Sequence, residues 1–390
     1  MFSRLRAVTP EVRASIFQFT VYLSTAVTSV YFAVWLANRG ITPDEIGLIN
    51  ALPVLVMLLI NLFVGRLADR ASDWRQAIIV LALIAGAMPI GLFFVSGFWG
   101  ILLVWMICIV PAFSLTPIVD AASLRMAQRN GTDFGAIRAW ATVGYLVSTA
   151  VSGPILAAFG DQAFLPLFLA ASVTRALLSL QLPRFRAPPV AAEPAPLVAK
   201  ASLRPVLKPW FVLTVIGVGM HMSIHGVLAA FGSLLWVRQG ISPEYIGPLI
   251  TVMAAAEALM MFVWKRLNLR ISARHMIIIA ASVGAFRWGV MAFEPSLAIL
   301  FGLQLLHGIT YAIGYFGGMQ FIANWTGEEI AAEAQGFLFV IQQAMGVVSL
   351  VAFGWCVTLF GPLAWLAASA FCALGALLVV VSLRLQPAHR

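Results

Sequence analysis

The chain has 390 residues, of which 62% are hydrophobic and only 10% charged, and its formal net charge is +9. Soluble domains are roughly 45–50% apolar and about 25% charged, so this balance excludes a soluble enzyme, a disordered chain and a disulfide scaffold. The three cysteines, Cys108, Cys356 and Cys372, sit inside apolar runs and read as small apolar residues rather than a disulfide set or a metal site.

A bilayer-crossing helix needs about 20 apolar residues. Apolar runs fall at about 14–37, 46–64, 76–96, 99–122, 138–159, 163–182, 209–237, 246–264, 275–293, 296–323, 333–359 and 362–383. They predict an all-α membrane protein with twelve transmembrane helices. The first run is too long for a signal peptide and is expected to remain as the first span. An even number of spans places both termini on one side. With the N-terminus in the cytoplasm, nineteen of the 24 Lys and Arg lie in cytoplasmic segments, and only Arg39 and Arg238 lie on the opposite side. That is the positive-inside pattern, so the net charge reads as orientation and not as nucleic-acid binding. The expected protein crosses a membrane many times, with both termini cytoplasmic, and its expected partner there is membrane lipid.

Residues 183–208, PRFRAPPVAAEPAPLVAKASLRPVLK, are rich in Pro, Ala and basic residues without an amphipathic period. They read as a cytoplasmic linker between an N-terminal six-helix bundle, 1–182, and a C-terminal one, 209–390. The halves are related. GITPDEIG at 40–47 recurs as GISPEYIG at 240–247, and at the same 200-residue offset Arg66, Leu67 and Arg70 meet Arg266, Leu267 and Arg270. Parallel six-helix halves joined by a linker are a transporter architecture.

In chain order, the residues that break the apolar rule begin with GRLADR at 65–70, a polar turn after span 2 containing Gly65, Asp69 and Arg70. Asp69 either caps a neighbouring helix N-terminus or belongs to simple positive-inside anchoring. Asp120 on span 4 and Arg138 at the start of span 5 are either interfacial charges or part of a cavity. Pro111 and Pro117 are consistent with an irregular span 4 that lines a cavity, and spacing alone leaves the two readings even. Arg175 lies in the last turns of span 6 and is expected to snorkel toward the linker. His221 and His225, four apart on span 7, share a helix face and form a polar or proton-sensitive surface, or a metal pair lacking an evident third ligand. Glu257, Arg287 and His307 lie near the middles of spans 8, 9 and 10. An ionisable group in a span costs several kcal/mol unless paired or wetted, so three at one depth predict an interior cluster. At the repeat offset Glu257 meets Met57, Arg287 meets Ala87 and Arg138 meets Leu338. The scaffold is duplicated but these charges are not, as expected of additions for substrate and ion handling.

These residues carry a resemblance. GRLADR resembles the signature loop of the major facilitator superfamily. DFGAIRAWATVGY at 133–145, TPIVDA at 116–121, GAFRWG at 284–289 and QLLHG at 304–308 are similar to the lactose permease and 3-phenylpropionic acid transporter branch. SARHMIIIAASVGAFRWGVM at 272–291 is most similar to the latter. The resemblance implies the major facilitator fold, with two pseudo-symmetric six-helix bundles and alternating access, in a monomer of the bacterial inner membrane that takes a small-molecule substrate. It implies Asp120 and Arg138 as a substrate-binding pair, with Trp140 and Tyr145 near the aromatic positions of a sugar site. It implies Glu257, Arg287 and His307 as the proton-coupling set. Thr310 stands where the permease has a second acid, which separates this chain from a sugar-type coupling scheme and leaves Glu257 or Asp120 to carry a proton.

The expected function is proton-coupled symport of a small organic solute such as an aromatic carboxylate, held by Arg138 or Arg287, with no cofactor beyond the proton and no metal. Oligosaccharide or nucleoside symport is the alternative. No Ser/His/Asp or Cys/His set points to an enzyme. A non-transporting sensor would lose the central charges or gain a signalling domain, and the chain does neither.

Overall fold

The structure is a computed structural model that describes residues 9–70, 73–185, 206–267, 270–326 and 331–385, with side chains throughout except at 61–70, 128, 265 and 331–333. Most of the linker expected at 183–208 lies outside these residues. Gly65, Asp69 and Arg70 close a helix whose side chains there also lie outside them.

The described residues form fourteen α-helices and no strand. They are α1 (Pro10–Val21), α2 (Leu23–Asn38), α3 (Pro43–Arg70), α4 (Trp74–Ala87), α5 (Gly97–Asn130), α6 (Phe134–Phe159), α7 (Asp161–Ser179), α8 (Pro209–Arg238), α9 (Ile246–Leu267), α10 (Ala273–Met291), α11 (Leu297–Leu305), α12 (Gly314–Trp325), α13 (Ala331–Phe360) and α14 (Ala364–Leu385). Among the described residues ten helical stretches are long and apolar enough to cross a membrane. One of them, Ala334–Leu385, is 52 residues long. As a single helix it would reach about 78 Å, more than twice the roughly 30 Å hydrocarbon core. It is two helices, α13 and α14, divided by a 3-10 turn that opens at Gly361 with φ +57°. The helix α10, carrying Arg274, His275 and Arg287, is not among the ten, because its charges lower its hydropathy.

The chain divides into two compact units, Met1–Gly40 with Leu59–Ala195, and Ile41–Leu58 with Pro196–Arg390. In the first, α1, α4, α5, α6 and α7 enclose a core that includes Phe17, Ile78, Leu115, Met126 and Ile137. Helices α1 and α6 come so close that a Cβ on Gly144 would collide with the carbonyl of Phe19. That carbonyl is main chain and cannot swing aside. Gly144→Ala is expected to destabilise the protein by about 1–3 kcal/mol, the usual cost of overpacking. A lower midpoint of thermal unfolding in detergent checks this.

In the second unit α8 packs against α10, α13 and α14 around Phe211, Val215, Ile277, Phe321 and Leu338. Residues 41–58, which the sequence places in the N-terminal half, cluster with this unit. The cause is a close crossing of α3 and α13. A Cβ on Gly354 would lie 2.7 Å from the Pro43 carbonyl, and Thr358 Oγ1 donates to Asp44 Oδ1 at 3.0 Å.

Candidate functional site

Each unit contains a polar cluster. In the first, α5 presents Asp120 one turn after Pro117, whose ring removes a helix N–H. Helix α6 starts at the Asp133 cap and brings Arg138 to it. Arg138 Nε donates to Asp120 Oδ2 at 3.2 Å, and Gln18 Nε2 donates to Asp120 Oδ1 at 2.9 Å. Arg138 also donates to the Tyr22 hydroxyl at 3.2 Å. The two charged side chains are 31% and 30% exposed, so their pairing adds little stability. What distinguishes them is direction. Both carboxylate oxygens have a donor, and the guanidinium keeps unused N–H groups on a partly open face. Tyr145, seven residues beyond Arg138 and on the same helix face, meets Ser29 at 3.1 Å.

Two sequence expectations need correction here. Trp140 does not join this cluster. It lies two residues from Arg138, on the far side of α6, in an exposed apolar stripe with Val143, Val147 and Val151. Arg175 does not snorkel. It is 2% exposed and donates to the Val21 carbonyl at 3.4 Å and Ser24 Oγ at 3.2 Å, because the first span breaks at Tyr22 and offers it acceptors.

The second cluster brings together Glu257 from α9, Arg287 from α10 and His307 from the start of a π-helical turn, Gly308–Ile313, between α11 and α12. Such wide turns concentrate at functional sites. Glu257 Oε2 lies 3.2 Å from His307 Nε2, and His307 Nδ1 lies 3.2 Å from Arg287 NH1. Arg287 NH2 donates to Gln304 Oε1 at 2.7 Å, and NH1 reaches Thr310 Oγ1 at 3.3 Å. The guanidinium also lies over the Trp288 ring, 4.5 Å from its centroid. Tyr311 stacks on His307 with centroids 5.1 Å apart.

Donor and acceptor rules give this chain a direction. A guanidinium only donates, so His307 Nδ1 accepts from it. The imidazole proton therefore sits on Nε2 and is donated to Glu257. His225 Nδ1 lies 3.2 Å from the Met222 carbonyl, which only accepts, so His225 Nε2 is the acceptor that Thr310 Oγ1 meets at 3.2 Å. His221 Nε2 donates to the Thr310 carbonyl at 2.6 Å, leaving Nδ1 toward Cys372 Sγ at 3.7 Å. His221 and His225 are thus joined to the cluster through the two oxygens of Thr310. In the neutral form, each of the three histidines has its tautomer set by these partners. Exposure is graded: Glu257 is 29% accessible at its side chain, His307 5%, and Arg287 fully buried. Glu257 is the open end of the chain and Arg287 its interior end.

Among the described residues, no group of three or more His, Cys, Asp or Glu is placed to hold a metal ion. Gln18, Tyr22 and Gln304 were not singled out from the sequence. Their signal was available: Gln18 and Tyr22 are four apart in an apolar run, and Gln304 lies one helical turn before His307.

The arrangement suits a membrane transporter. Over 320 residues the chain is 26% identical to the probable 3-phenylpropionic acid transporter of Escherichia coli (strain K12), covering 80% of this chain and 82% of that protein. It is 23% identical over 338 residues to the maltose permease of Geobacillus stearothermophilus, covering 85% and 83%. Among solved structures it is similar to the crystal structure of the nucleoside transporter NupG, with a TM-score of 0.79 and 16% identity over 96% of this chain and 99% of that one. The sequence profile of the MFS_1 like family matches residues 12–373. With nearly its whole length inside that match, the chain belongs to the MFS_1-like family and is an integral membrane transporter, not an enzyme.

Proposed function

We propose that the protein is a proton-coupled symporter of a small organic anion, working by alternating access in the bacterial inner membrane. It has twelve spans in two six-helix bundles and both termini in the cytoplasm. Three observations support the span count: the ten apolar stretches, the division of the last of them into α13 and α14, and the helix α10 with its intramembrane arginine.

The observation that carries the coupling is the directed chain Glu257–His307–Arg287. With Glu257 ionised, His307 donates to it while accepting from Arg287, and the guanidinium is held away from other anions. A proton on Glu257 removes the charge that orients His307. The His307–Arg287 bond weakens, and the guanidinium fork becomes available to a substrate carboxylate or to a rearranged helix contact. One proton at the open end thereby changes what the buried cation at the other end binds.

For the substrate we propose an aromatic monocarboxylate such as 3-phenylpropionate. Arg138 supports this, with spare N–H groups on an open face and the Tyr22 ring 5.4 Å from its guanidinium carbon. Planar forks suit carboxylates. The name of the Escherichia coli relative points the same way. A second reading, a sugar or nucleoside, is favoured by the neutral donors and acceptors of Gln18 and Tyr22 around Asp120.

Counterflow of labelled 3-phenylpropionate, maltose, lactose and a nucleoside into proteoliposomes separates these readings. The expected result is counterflow of 3-phenylpropionate, with KM raised about 10–100-fold in Arg138→Gln, the loss of a charged hydrogen bond of about 1.5–3 kcal/mol. Counterflow of a neutral solute alone establishes the second reading. No counterflow of any of the four overturns both.

A further inference from the structure

The first span is not one helix. It breaks between α1 and α2 at Tyr22, whose φ of −106° and ψ of 8° leave the helical region. A break inside a membrane span frees carbonyl groups that lipid cannot satisfy. Here two carbonyls beside the break accept from side chains of other helices: Ser148 Oγ of α6 donates to Leu23 O at 2.9 Å, and Arg175 NH1 of α7 donates to Val21 O at 3.4 Å. The same NH1 holds Ser24 Oγ at 3.2 Å, so Arg175 grips both sides of Tyr22. Neighbouring helices therefore hold the irregular turn from outside.

Arg175 is an expensive residue for this task. It is 2% exposed, has no carboxylate partner among the described residues, and its Nε has no hydrogen-bond partner among them. A serine or threonine could satisfy a single carbonyl without the cost of burying a charge. What the guanidinium adds is reach across the break. Tyr22 lies between the two contacts and Gln18 one turn before them, and both touch the first polar cluster: Gln18 donates to Asp120, and Tyr22 accepts from Arg138.

We propose that Arg175 is a positioning residue: by gripping both sides of the broken turn it keeps Gln18 and Tyr22 on the Asp120–Arg138 pair, and so sets the affinity of that pair for substrate. The affinity part rests on the reading of Asp120 and Arg138 as the substrate-binding pair. The positioning part does not, so the two are tested separately.

The positioning test uses the full chain in detergent with 3-fluorotyrosine at position 22 alone, read by fluorine NMR. Arg138→Gln defines the resonance of a Tyr22 ring that has lost its guanidinium. Arg175→Met is expected to move the resonance most of the way to that position. Arg175→Lys, which keeps a donor, is expected to move it less. A resonance left at its wild-type position in Arg175→Met, while Arg138→Gln shifts it, overturns the proposal. If Arg175→Met does not fold, Ser24→Ala removes one of the two contacts and is expected to give a smaller shift in the same direction; no shift there overturns the proposal equally.

The affinity test is uptake of 3-phenylpropionate in proteoliposomes. Arg175→Met is expected to raise KM about tenfold with Vmax within about twofold of wild type, the pattern of lost binding without lost turnover. A loss of Vmax at unchanged KM contradicts a role in affinity. A wild-type protein that does not move 3-phenylpropionate counts against the substrate reading alone, and the NMR result still decides whether Arg175 positions Tyr22.

Discussion

Glu257→Gln is expected to abolish uptake of solute against its gradient while counterflow continues at a rate within about threefold of wild type, a barrier change under ~1 kcal/mol. Glutamine keeps the size of the side chain and a carbonyl oxygen that can accept from His307 Nε2, so the site is held in the form that protonated Glu257 gives it. What is lost is the group that alternates between charge and neutrality. Counterflow needs both orientations of the loaded carrier but no net proton movement, so it continues. Accumulation needs the proton and stops. Glu257→Ala makes a useful contrast, because it also removes the acceptor that faces His307. The alanine variant is expected to lose accumulation like glutamine and, unlike it, to lose counterflow by about tenfold as His307 loses its fixed orientation. Parallel accumulation and counterflow assays on the two variants check this. Full accumulation by Glu257→Gln would remove Glu257 from the coupling path.

Arg287→Met is expected to reduce every mode of transport by about 100-fold or more, roughly 2.7 kcal/mol of lost transition-state stabilisation. Arg287 donates to three buried acceptors, His307 Nδ1, Thr310 Oγ1 and Gln304 Oε1. Methionine satisfies none of them, and each orphaned acceptor costs about 1–3 kcal/mol. The fold loses less than that sum, because burying a guanidinium is itself unfavourable and an apolar replacement relieves it. Thermal unfolding should therefore fall modestly while transport collapses. Without its donor, His307 Nδ1 is left as an unsatisfied buried acceptor and the ring loses the contact that aims it at Glu257. Arg287→Lys tests the geometry apart from the charge. An ammonium is a compact donor without the planar fork that spans His307, Thr310 and Gln304 together. It is expected to retain the stability of wild type and still transport at least about tenfold more slowly. Lysine supporting wild-type transport would show that charge alone suffices at this position.

The parts of this account that were legible in the sequence are those that rest on composition along the chain. Apolar runs mark most of the helices because a span must satisfy its own backbone and present apolar side chains. Glu257, Arg287 and His307 stood out because charge in such a run is costly, and the structure does bring them within hydrogen-bond distance of one another. Position in a run does not say which way a side chain points. Trp140 lies within two residues of Arg138 in sequence and on the opposite side of α6 in space, because two residues turn a helix by about 200°. Arg175 read as a terminal arginine free to reach water. The break at Tyr22 that holds it instead has no proline or glycine to announce it, and is braced by contacts from α6 and α7. The membership of residues 41–58 in the second unit was hidden for the same reason, since it depends on Gly47 and Gly354 meeting across distant segments. Thr310 was visible as the absence of an acid. Its positive role, joining Arg287 to His221 and His225 through its hydroxyl and its carbonyl, appeared only with the side chains in place.

Coupling through Glu257 requires this side chain to take up and release a proton as solute crosses. The most direct test records external pH in lightly buffered proteoliposomes during downhill entry of 3-phenylpropionate, or of whichever solute gives counterflow. Wild-type protein is predicted to make the medium more alkaline in step with solute entry, and Glu257→Gln to admit solute without a pH change. Solute entry into wild-type vesicles with no alkalinisation, or alkalinisation that persists in Glu257→Gln, would rule out proton coupling through Glu257.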